Sequence, residues 1–194
     1  MKNALIALAA IAGLLISIGL WFVSAGNALI AKDEAVKSAW SQVENVYQRR
    51  ADLIPNLVNT VKGYAAHEKG TLEAVIQARA AATSGGATPS DAGSIKKFQQ
   101  SQDALSSALS RLLVVVEKYP DLKANENFRD LQSQLEGTEN RIAVERKRFN
   151  EIVEMYNAGV RMFPSSIVAG MKGFTAKTYF EAAAGSKETP KVQF

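Results

Sequence analysis

The sequence predicts an all-α protein: long amphipathic helices standing behind one membrane-spanning segment. Three observations carry that expectation. The 22 residues Ala4 to Ala25 contain no charged side chain. Large apolar residues then recur at Val36, Trp40, Val43, Tyr47, Ile54, Leu57, Val61 and Tyr64, in steps of three, four or seven, which is a heptad seam along a helix. The same spacing returns twice more before the C-terminus, and no stretch alternates with the period of two that a half-buried strand requires.

Residues 1–26 form the anchor. At a rise of about 1.5 Å per residue, 22 residues span about 33 Å, enough to cross a bilayer core. Trp21 and Phe22 suit the membrane interface. A cleaved signal peptide is the competing reading, with Lys2 as its basic start and Val23-Ser24-Ala25 as a small-residue cleavage pattern. The apolar run exceeds the usual signal core, which favours a retained anchor. Ala9, Gly13 and Ser17 make a row of small residues along which two anchors can pack closely. The expected setting is a membrane, crossed once, with membrane lipid as a partner and the body exported. The basic residues flanking the segment, Lys2 on one side and Lys32 and Lys37 on the other, leave that orientation open.

The body occupies residues 27–164. A first helix is expected over about 27–68 and a second over about 71–84, with Gly70 closing one and Thr71 opening the other. Pro55 falls inside the first helix, where it lacks an N–H and crowds the carbonyl four residues back, so a kink is expected there. The seam position between Tyr47 and Ile54 is Arg50, a charge where an apolar residue belongs. Residues 84–94 are a loop by composition. A third helix carries Ile95, Phe98, Leu105, Leu109, Leu112, Val116 and Tyr119, with Gln102 in the slot after Phe98. A fourth, over about 125–163, carries Phe128, Leu131, Leu135, Thr138, Ile142, Phe149, Tyr156, Val160 and Phe163, and Pro164 stops it.

RRADLIPNLVNTVKGYAAHEKGTLE, from Arg49 to Glu73, resembles the central motif of the LemA family of bacterial membrane-anchored proteins. Tyr119 to Pro164 and GFTAKTYFEA, from Gly173 to Ala182, are similar to that family's C-terminal pattern. Two positions depart from it: Phe149 stands where tyrosine is common, and Gly26 replaces an aromatic just after the anchor, which is expected to loosen the exit from the membrane. The resemblance implies an up-and-down four-helix bundle with long first and last helices, preceded by a single N-terminal transmembrane helix. It also implies a bacterial inner membrane as the setting, and no established reaction.

Composition removes several chemistries. The chain has no cysteine and one histidine, His67, which excludes disulfides, thiolate catalysis and histidine-rich metal sites. Basic residues number 23 and acidic residues 19, dispersed along the chain, whereas a nucleic-acid binder concentrates its charge. No phosphate loop, nucleophile motif or paired carboxylate stands out, so no enzyme, no cofactor and no nucleic-acid partner are expected. Arg50, Gln102 and Thr138, on three helices, define a candidate polar seam layer. Such a layer either fixes register between helices or lines a binding site for a small molecule or peptide. Residues 165–183 hold Phe174, Tyr179 and Phe180, which either fold back over the bundle end or form an edge for lipid headgroups or a second subunit. Residues 184–194 read as a mobile tail. The expected function is a non-enzymatic scaffold that forms a homo-oligomer larger than a dimer and organises a membrane patch or partner proteins. The alternative is a membrane-tethered binding module.

Overall fold

The computed structural model describes residues 2–89 and 91–181. Helix α1 runs over Lys2–Tyr64, α2 over Lys69–Thr83, α3 over Ala92–Val116, α4 over Pro120–Ala124, α5 over Glu126–Arg161 and α6 over Ser165–Lys172. No strand occurs among the described residues. The class is all-α, as the periodicity predicts.

The anchor is not a separate helix. Residues 2–64 are continuous, so the apolar segment and the first seam share one axis. This corrects the expected loosening at Gly26. Carbonyls and amides around that glycine stay in the helical ladder, and the space its missing side chain leaves is filled by Lys172, whose Cε lies 2.9 Å from where a Cβ would stand. Two further expectations need revision. The first helix ends at Tyr64 rather than near residue 68, and α2 begins at Lys69, which places Gly70 and Thr71 inside α2 instead of at caps. The short helix α4 was not expected. Pro120 opens it, at a first-turn position where a missing N–H costs nothing.

The other ends follow local rules. Asp91 caps α3 by accepting from the amides of Gly93 and Ser94. Asn125 caps α5 by accepting from the amide of Phe128. Helix α6 closes at Gly173, the one positive-φ residue described (φ 75°). Its neighbour Phe174 returns an N–H to the carbonyl of Ala169, the bond pattern of a left-handed C-cap.

The main packing pairs are α1 with α5 and α2 with α3, with α2 also lying on α1 and α6 lying on both α1 and α5. The seams converge on two apolar clusters. One, towards the end remote from the anchor, gathers Ile54, Leu57, Val61, Leu105, Leu112, Phe128 and Leu135. The other gathers Val36, Trp40, Val43, Tyr47, Phe98, Phe149 and Phe180. Every seam residue of α1 from Val36 to Val61 is buried, whereas Tyr64, expected in the same seam, is 45% exposed at the last residue of the helix. Phe163, expected in the α5 seam, is 81% exposed. It follows the last helical residue of α5, Arg161, where the seam has no partner left to face.

Candidate functional site

Arg50 lies between the two apolar clusters and is 1% exposed. Its seam position on α1 forces the guanidinium inward, and residues of α3 and α5 meet it. Nη1 donates to Ser106 Oγ at 2.9 Å and to a carboxylate oxygen of Glu139. Nη2 donates to Gln102 Oε1 and, at 3.3 Å, to the Gln102 carbonyl. Gln102 passes the network on, donating from Nε2 to the carbonyl of Ala82 at the end of α2. The Tyr47 ring stacks on the guanidinium, its centroid 5.1 Å from Cζ. Arg50 therefore ties α1, α3 and α5 at one level, and Gln102 extends the tie to α2.

Two of the three predicted layer residues meet and one does not. Arg50 and Gln102 bond directly. Thr138 is buried at the same level, but its hydroxyl donates to the carbonyl of Gln134 on its own helix. The next residue, Glu139, is the true α5 partner. It sits one position off the seam, so its carboxylate reaches the guanidinium while its side chain remains 46% exposed. Burial keeps the Tyr47 phenol above its ordinary pKa, opposed by the Arg146 and Arg50 charges nearby.

Beside the arginine, α3 and α5 part into a groove of about 470 Å³. Leu57, Leu109, Leu113 and Leu135 form its apolar wall, and Ser106, Gln132, Glu136, Glu139 and Asn140 its polar rim. The groove can accept an apolar group with a polar or cationic end. Among the described residues, no cluster of three or more histidine or acidic side chains suits a metal ion. His67 is exposed in the turn after α1.

A second construction was not legible in advance. Residues 174–181 run back as an extended strap along α5. Asn157 donates to the carbonyl of Lys177 and accepts from its amide, at 3.0 and 2.8 Å. Asn150, seven residues earlier on the same face of α5, does the same for Phe180. Two asparagine side chains thus imitate the bonding edge of a neighbouring strand. The strap carries Phe180 onto Trp40, stacked at 5.6 Å and 18°, and against Phe149. Lys177 pairs with Asp33 of α1 at 2.9 Å. Burial acts to raise the Asp33 pKa, but the Lys177 and Lys37 ammonium groups outweigh it and hold the carboxyl below its ordinary value. Of the three aromatics expected either to fold back over the bundle or to form a contact edge, Phe180 folds back into the core, Phe174 is half-buried and Tyr179 is exposed. The asparagine pair, Asn150 and Asn157 at a spacing of seven, was the available sequence sign.

Ala9, Gly13 and Ser17 lie on the exposed surface of α1, with the Ser17 hydroxyl donating to the Gly13 carbonyl. The tail 184–194, and residues 182 and 183 of the C-terminal segment, lie outside the described residues.

These features define an all-helical protein with a candidate N-terminal membrane anchor and a buried arginine-centred layer. The family comparison agrees with them: the LemA family model matches residues 39–194. The chain belongs to the LemA family. Among curated proteins, it is similar to magnetosome protein MamQ of Magnetospirillum gryphiswaldense, 28% identical over 186 residues, covering 86% of this chain and 68% of that one. It is also similar to magnetosome proteins MamQ 2 and MamQ 1 of Paramagnetospirillum magneticum, each 26% identical over 174 residues. Those matches cover 80% of this chain and 64% of each relative.

Proposed function

We propose that this protein is a non-enzymatic membrane-anchored scaffold whose soluble helices, α1 beyond residue 26 with α2, α3 and α5, work as an up-and-down four-helix bundle. The continuity of α1 carries the reading: one helix is exposed and free of charge over residues 4–21 and buries one face of its remaining length in the core. A rigid element of that kind holds a body at a membrane. The arginine layer supports a structural role, because four donor contacts of Arg50 are spent on protein oxygens and its remaining donor, Nε, is buried. Membrane lipid around residues 4–25 and further copies of this chain are the proposed partners, in a single-pass bacterial inner-membrane setting with the body exported. The MamQ relatives, named as magnetosome proteins, support service to a cellular structure over a small-molecule reaction. Anchoring confines copies to two dimensions, so contacts along the Ala9, Gly13, Ser17 row and at Tyr179 add up.

The test is particle mass. Full-length protein in mild detergent should scatter light as an assembly larger than a dimer, and Gly13→Leu should lower that mass with helicity unchanged. A monomer at micromolar concentration in several detergents refutes the scaffold. The groove between α3 and α5 then favours the second reading, a tethered module binding a small molecule or peptide beside Glu139.

A further inference from the structure

The corner where α5 turns into α6 exposes a cluster that the fold does not use. Phe163 is 81% exposed, Met171 72%, and Met162 and Ile167 stand beside them in the open. These residues follow the last turn of α5 and line the outer side of α6. On the inner side, Val168 and Ala169 of α6 are buried against Leu29, with Phe22 and Ala25 packed on the same cluster. The Lys172 side chain lies over Gly26. Helix α6 is therefore fixed beside residues 22–29 of α1, the level at which the charge-free segment ends. On α5, Gly159 lies level with Leu29 and Lys32. The chain continues past it towards the anchor, so Met162 and Phe163 reach the height of Gly26 or below.

We infer that this corner is a second membrane contact, in which Phe163, Met171, Met162 and Ile167 enter the bilayer interface and Arg161 and Lys172 meet anionic lipid headgroups. The inference rests on the reading of residues 4–25 as a membrane anchor. Its support is position: a cluster of exposed large apolar side chains marks a contact site, and this one is held against the helix at its point of exit from the hydrocarbon. Aromatic and methionine side chains with adjacent cations suit the boundary between acyl chains and headgroups. The anchor and the corner then make two points of attachment, which fixes the rotation of the body about α1 as well as its height.

The chain has no cysteine, so single cysteines report position cleanly. Phe163→Cys, Met171→Cys, Ile11→Cys in the anchor and Arg111→Cys on exposed α3 are labelled with an environment-sensitive fluorophore. Each full-length variant is reconstituted in vesicles of phosphatidylcholine and phosphatidylglycerol, with helicity checked by circular dichroism. Nitroxide-bearing lipid should quench the labels at 163 and 171 several-fold more than at 111, while aqueous iodide quenches 111 most. If 163 and 171 behave as 111 does while Ile11→Cys is lipid-quenched, the second contact is overturned and the anchor stands. Labels at 163 and 171 shielded from both quenchers would place them under another protein surface, such as a second copy, and also overturn it. An Ile11→Cys label quenched by iodide would overturn the anchor reading and the second contact together.

Discussion

Pro55 creates a debt inside α1 that a different helix settles. Lacking an N–H, it cannot donate to the carbonyl of Ala51, a residue 2% exposed. Arg79 of α2 takes that role, its Nε donating to the Ala51 carbonyl at 2.7 Å. A hydrogen bond from a charged donor contributes about 1.5–3 kcal/mol, and a buried carbonyl left without a donor loses a similar amount. For a chain of this size each kcal/mol moves the midpoint by about 2–4 °C. Arg79→Met, which keeps the apolar stem, should therefore lower the melting midpoint of the full-length protein in detergent by about 3–12 °C. In a Pro55→Ala background the amide at 55 can bond Ala51 itself, so the same substitution should cost at least about 1 kcal/mol less. The assay is a double-mutant cycle followed by circular dichroism. Equal costs of Arg79→Met in both backgrounds would show that the arginine does not answer the proline.

Two other outcomes follow from the interior. Glu139→Gln leaves the Arg50 charge buried without its counter-charge, and should destabilise by about 1–2 kcal/mol after allowing for the half-exposed carboxylate. Arg50→Met, which leaves the buried Gln102 oxygens without their donor, should cost more than Glu139→Gln, whose amide oxygen can still accept from Nη1, and chemical denaturation orders the two. The strap should loosen in acid: the folded Asp33 carboxyl lies below its ordinary 3.8, so its contribution is complete above that pH and lost as pH falls through the folded value. Trp40 emission, in a Trp21→Phe background, should shift to the red over that range, and Asp33→Asn should abolish the pH dependence.

The parts of the fold that repeat were legible, and the parts that cap or cross were not. Every α1 seam position from Val36 to Val61 is buried, because a heptad pattern over several turns admits one face, and Ala39, Ala51 and Val58 widen that face beyond the seam. Arg50 and Gln102 announce themselves as breaks in that pattern. Glu139 does not, since it lies just off the seam and reaches the arginine sideways. Gly70 misled because a glycine near basic residues imitates a C-cap, whereas here it lies in the first turn of α2. The strap has no period at all, and its bonds run to side chains seven residues apart on another element. Phe163 fits the α5 spacing but lies beyond the reach of the helices that would cover it.

The unbroken course of α1 makes it a lever. From Gly26 to Tyr64 the helix extends about 57 Å beyond the candidate membrane segment and stays helical through Pro55. A bilayer that thins or thickens changes the tilt of the segment that crosses it. A change of about 10° at the anchor displaces the far end of α1 sideways by about 10 Å, geometry that follows from the helical rise. The remote apolar cluster and the groove between α3 and α5 travel with it. A body mounted in this way turns a small difference in membrane thickness into a difference in which neighbours it can reach.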